Sequence, residues 1–121
     1  MKYVLDANIA IAALNDVGAV REHLSRVPGS EVGVPILAVA ELLFGANKSK
    51  RREENLQRIQ ALRRSIATLS VTDGIIERYG VTRVSLESRG VVKSDFDLII
   101  ACTALVRRRC VRARYLPSHH V

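Results

Sequence analysis

Aromatic side chains are scarce in this chain of 121 residues, which has three Tyr, two Phe and no Trp. Recognition of single strands by bases stacked on an aromatic sheet face therefore lacks its platform. Cysteine is confined to Cys102 and Cys110, whose spacing suits neither a zinc site nor a redox pair. Both thiols are expected to be inert in a reduced compartment. The three histidines are His23, on a polar helical stretch, and His119 and His120 near the end. They suggest no imidazole zinc site, and no G-x-S-x-G, P-loop or G-x-G-x-x-G fingerprint accompanies them. The chain opens without a secretory signal, and no apolar run reaches the roughly 18 residues of a membrane span. The expectation is a cytoplasmic protein without a membrane partner.

What is present fits one globular domain over residues 1–121, with 48% hydrophobic and 26% charged residues. Lys and Arg exceed Asp and Glu by 19 to 12, a net charge of +7 that favours phosphate-rich partners or a merely solvated surface. The excess is uneven. Arg107, Arg108, Arg109, Arg112 and Arg114 form an acid-free basic tail over 107–121, and the +7 less those five leaves +2 for residues 1–106.

Hydrophobic patterning predicts strands over Lys2–Leu5, Glu31–Val34 and Thr68–Val71. Helices are expected over Ile9–Leu14 with Asn8 as its cap, Val17–Val27, Ile36–Ala46 opened by Pro35, and Arg51–Ile66. Two more follow, Gly74–Ser88 capped by Thr72 and ended by Gly90, and Asp95–Val106. Strands alternating with helices indicate an α/β domain around a parallel sheet. Ligands of such sheets bind outside the carboxyl ends of the strands, where Asp6 follows the first strand.

Three carboxylates interrupt apolar runs: Asp6 in Tyr-Val-Leu-Asp-Ala-Asn, Glu41 in Ile-Leu-Ala-Val-Ala-Glu-Leu-Leu-Phe, and Asp97 in Asp-Phe-Asp-Leu-Ile-Ile-Ala. An ionised carboxylate taken out of water must be paired, protonated or bound to a cation. Asp6 also reads as a strand terminator. Asp97 also reads as part of a Ser-x-x-Asp capping box begun by Ser94. Glu41 lacks such an alternative, because its helix is apolar on nearly every face. One shared cation accounts for all three, and an oxygen-only set favours Mg²⁺ or Mn²⁺ over zinc.

Three stretches in order, Lys-Tyr-Val-Leu-Asp-Ala-Asn-Ile-Ala-Ile-Ala, Ala-Val-Ala-Glu-Leu-Leu-Phe-Gly-Ala and Ser-Asp-Phe-Asp-Leu-Ile-Ile-Ala-Cys-Thr-Ala-Leu, carry a resemblance. Over about residues 1–106 the chain resembles PIN-domain ribonucleases, specifically VapC-like toxins of type II toxin–antitoxin pairs. The resemblance implies a Rossmann-like parallel sheet of about four to five strands flanked by helices. It also implies cleavage of RNA phosphodiesters with Mg²⁺ or Mn²⁺, a cognate antitoxin and homodimerisation. Asp6, Glu41 and Asp97 take the family's catalytic and metal-binding positions, with Asn8 and Asp95 as supporting polar groups. Both supports also have structural readings, as a helix cap and a helix-start residue.

Two departures set this chain apart. Ala7 stands where the family usually has Thr or Ser after the first Asp. The family's final strand and its further acidic or polar group are replaced by the basic tail, as a frameshift or divergent end would leave them. The rival to an active toxin is therefore a catalytically degenerate PIN fold that binds antitoxin or RNA without cutting. A dehydrogenase-like nucleotide binder is excluded by the missing glycine-rich turn.

Overall fold

The computed structural model describes residues 3–14 and 26–107. Most of the helix expected over Val17–Val27 lies outside the described residues, as does the basic tail after Arg107. The elements run β1 (Tyr3–Val4), α1 (Ala7–Leu14), a 3-10 turn (Gly29–Glu31), β2 (Val32–Pro35), α2 (Ile36–Lys48), α3 (Arg52–Ser65), β3 (Ala67–Leu69), α4 (Asp73–Ser88) and α5 (Asp95–Arg107).

The strands form a parallel sheet in the order β1-β2-β3. Tyr3 lies opposite Val32 and Val4 opposite Gly33, while Gly33, Val34 and Pro35 lie opposite Ala67, Thr68 and Leu69. The Leu5 N–H continues the ladder by donating to the Gly33 carbonyl at 2.8 Å. Three strands are thus found among the described residues, where four to five were expected, and β1 is an edge within that set. Every residue of β2 is buried, as a central strand covered on both faces requires.

Three apolar clusters hold the layers together. Leu5, Ile9, Val32, Val34, Ala38, Val39 and Ile100 join the sheet to α1, α2 and α5. Ala10, Leu42, Ala46 and Ile59 seal α1, α2 and α3 against one another. Ile75, Leu98 and Cys102 pack α4 on α5. Each fully buried Leu, Ile or Val contributes about 1.5–3 kcal/mol of transfer free energy. The stripe predicted for α3 is the one used: Ile59 is buried, and Leu56, Leu62 and Ile66 are half-buried against the core.

Two caps differ from expectation. Asn8 does not cap α1; it is an exposed residue inside the helix, and Asp6 caps it instead. An Asp side chain one residue before the helix reaches the third N–H of the first turn, which Asn8 overshoots. Thr72 stands at the cap position of α4, but its side chain makes no capping hydrogen bond. At the other end of α4, Gly90 adopts φ +73°, and the N–H groups of Gly90 and Val91 donate to the carbonyls of Glu87 and Leu86. That closure needs a left-handed residue, which glycine supplies without a Cβ clash. Gly29 is required for another reason, since a side chain there would collide with the Ser65 carbonyl at the end of α3.

Candidate metal centre and active site

Parallel strands put their carboxyl ends on one rim of the sheet, where Asp6 follows β1 and α2 follows β2, while Asp97 begins a separate helix, α5. Asp6 leaves β1 directly after buried Leu5. Its Oδ1 accepts the Ile9 N–H at 2.8 Å, and its carbonyl accepts the Ala10 N–H at 3.0 Å. The half-buried Asp6 side chain is therefore held in place by the turn that it caps.

Glu41 is delivered from β2. Pro35 ends the strand in an extended conformation (φ −59°, ψ 141°) and its ring carries no hydrogen-bond acceptor, so α2 starts at Ile36 without a side-chain cap. Buried Ala38, Val39 and Leu42 bind α2 to the sheet and its neighbouring helices. Glu41 lies among them half-buried and makes no hydrogen bond or ion pair with the described residues. Burial raises its pKa above the ordinary carboxyl value, and the nearby negative charge of Asp97 raises it further.

Asp97 is the third residue of α5. The Ser94 Oγ accepts its N–H at 3.1 Å, so the Ser-x-x-Asp start does cap the helix. Buried Leu98, Ile100 and Cys102 fix this helix while the Asp97 side chain stays exposed. Asp95, the first residue of α5, turns toward α4: its Oδ1 accepts the Tyr79 hydroxyl at 2.7 Å and Arg83 Nη1 at 3.2 Å. Asn8 is exposed on α1.

Glu41 and Asp97 are thus close enough to repel each other. Among the described residues, however, no three His, Cys, Asp or Glu side chains converge as a ready-made ligand set. A closed three-carboxylate cage is absent there. A small hard cation needs less, since Mg²⁺ keeps several waters and takes only one or two carboxylates directly. A repelled pair of carboxylates, one of them half-buried, fits such an ion, because a positive charge between them relieves the strain on Glu41. Cys102 is buried in the α4–α5 interface and offers no ligand to this rim.

Beside Glu41 an open cleft of about 220 Å³ runs between α1, α2 and α3, lined by Ile11, Leu14, Leu42, Arg58 and Ile59 among others. Arg58 is half-buried at its wall. Sequence reasoning missed both this cleft and the Tyr79–Arg83 contact to Asp95. The second had a visible signal: Tyr79, Arg83 and Glu87 recur every four residues on one face of α4.

Comparison with known proteins agrees with this architecture. The family described as "PIN domain" matches residues 3–109. Ribonuclease VapC2 of Rickettsia felis is 27% identical over 107 residues, covering 87% of this chain and 80% of that protein. Ribonuclease VapC1 of Haemophilus influenzae is 31% identical over 107 residues, with the same coverage of both chains. Among solved structures, VapBC2 from Rickettsia felis bound to a DNA fragment from its promoter superimposes with a TM-score of 0.81 at 25% identity. That match covers 89% of this chain and 83% of the other.

Proposed function

Since the chain belongs to the PIN-domain family and is a VapC-like ribonuclease, the toxin of a toxin–antitoxin pair, we propose that it cuts RNA with a divalent ion held between Glu41 and Asp97, with Asp6 joining directly or through water. The single observation that carries the metal is Glu41. Burial and the second carboxylate both disfavour the Glu41 anion, and a cation between the two would favour it.

When bound, Mg²⁺ or Mn²⁺ polarises a phosphoryl oxygen and lowers the pKa of a coordinated water toward that of a usable nucleophile. The chain's own residues supply position. Asp6 is fixed by the turn that it caps, Glu41 by the apolar packing of α2, and Asp97 by the capped start of α5. Asn8 is exposed two residues after Asp6 and is available to orient a carboxylate or a water. Ala7 offers no hydroxyl to the site, which lowers activity without removing an ion ligand. The net charge of +7 favours an RNA backbone as substrate.

The relatives support a cognate antitoxin as protein partner. A homodimer and a cytoplasmic setting belong to the same reading. Among the described residues no helix is long and apolar enough to cross a membrane.

RNA cleavage by the purified protein with Mg²⁺ or Mn²⁺, run beside Asp6→Ala and an EDTA control, tests the proposal. Cleavage that both controls abolish is the expected result. Folded protein that never cuts would instead support the degenerate PIN fold that binds antitoxin or RNA.

A further inference from the structure

Asp95 and Asp97 lie in the same first turn of α5 and serve different neighbours. The charge of Asp97 reaches Glu41 on α2. Asp95 is engaged from α4 by two donors on one oxygen, the Tyr79 hydroxyl at 2.7 Å and Arg83 Nη1 at 3.2 Å. Those donors also hold each other: Arg83 Nη1 donates to the Tyr79 oxygen at 2.8 Å, and Arg83 Nε donates to Glu87 Oε2 at 3.0 Å. The guanidinium is thereby oriented by its own helix before it meets Asp95.

We propose that Tyr79 and Arg83 are positioning residues of the nuclease site, clamping the first turn of α5 through Asp95 and so setting where Asp97 stands relative to Glu41. The inference rests on the reading of Asp97 and Glu41 as ion-holding groups. Three physical points carry it. Beneath the clamp, Ile75, Leu98 and Cys102 with half-buried Tyr79 fix the two helices side by side, which leaves the first turn of α5, ahead of Leu98, for the clamp to hold. Second, Arg83 pairs with Asp95 and keeps a further negative charge from being left unpaired two residues from Asp97. Third, the clamp is exposed, with side-chain exposures of 49% for Arg83 and 60% for Asp95. An exposed ion pair adds little to stability, so its consequence lies in orientation.

The test is Mn²⁺ affinity by calorimetry, paired with melting temperatures in EDTA, for Tyr79→Phe, Arg83→Gln, Asp95→Asn and Asp97→Asn. Tyr79→Phe and Arg83→Gln are each expected to weaken Mn²⁺ binding roughly 10-fold, as loss of a ligand-orienting partner does elsewhere, while melting in EDTA scarcely moves. In an Asp95→Asn background the same changes should add nothing further, because they act through that carboxylate. Unchanged affinity in Tyr79→Phe and Arg83→Gln, with Asp97→Asn losing the ion, would overturn the clamp and leave the site reading intact. Unchanged affinity in Asp97→Asn would overturn the site reading itself.

Discussion

Helices α2 and α5 carry carboxylates whose charges repel each other, and they hold them in opposite ways. Asp97 occupies the first turn of α5, where the helix dipole favours negative charge and Ser94 caps the backbone. It is exposed, and local structure would keep an acid there without any ligand. Glu41 occupies the second turn of α2, amid Ala38, Val39 and Leu42, where no cap or dipole rewards it. Burial and Asp97 both push its pKa up. Asp6 resembles Asp97 in this respect, since it caps α1. The contrast teaches that a helix-start acid is compatible with function without arguing for it. An acid held against its environment needs another explanation, and a cation supplies one.

The largest effect expected from this contrast is catalytic. Glu41→Gln and Asp97→Asn should each slow single-turnover RNA cleavage on the order of 100-fold or more. Wild-type rates in either variant would remove that residue from the site.

Stability should then separate the two helices. Ser94→Ala removes a cap and should cost about 1 kcal/mol in urea denaturation. Asp97→Asn should shift stability by less than about 0.5 kcal/mol, because the capping donor is its backbone N–H. A larger loss from Asp97→Asn would show the side chain to be structural.

The smallest effect is a pH dependence confined to α2. The folded pKa of Glu41 lies above its unfolded value, so between the two the folded chain binds more protons. The penalty is absent below the unfolded pKa, grows as pH rises toward the folded one, and is fully present above it. Urea midpoints in EDTA should therefore fall for the wild type relative to Glu41→Gln as pH rises from 4 to 7, and Mn²⁺ should narrow the gap. Parallel curves would mean that Glu41 carries no penalty.

Much of this was legible in the residues. The parallel α/β order follows from short apolar strands alternating with helical stripes, and Ile59 with Leu56 and Leu62 marks the buried face of α3 in the sequence itself. Glu41 stood out because an acid in an apolar helix is a local contradiction. Asn8 was misread because Asp and Asn are both good caps, and only the bond to the Ile9 N–H shows which one the helix uses. The Asp95 clamp was harder to see, since it joins residues 16 positions apart whose meeting depends on how α4 packs on α5. The cleft beside Glu41 had the same obstacle: its walls come from three helices.

The most direct test of the shared-ion account is equilibrium Mn²⁺ binding, followed through the paramagnetic signal of the free ion, for the wild type and Glu41→Gln. The account predicts one ion per chain in the wild type and an affinity at least about 10-fold weaker in the variant. Equal affinity in both proteins would contradict it, because the repelled Glu41–Asp97 pair would then have no part in holding the metal.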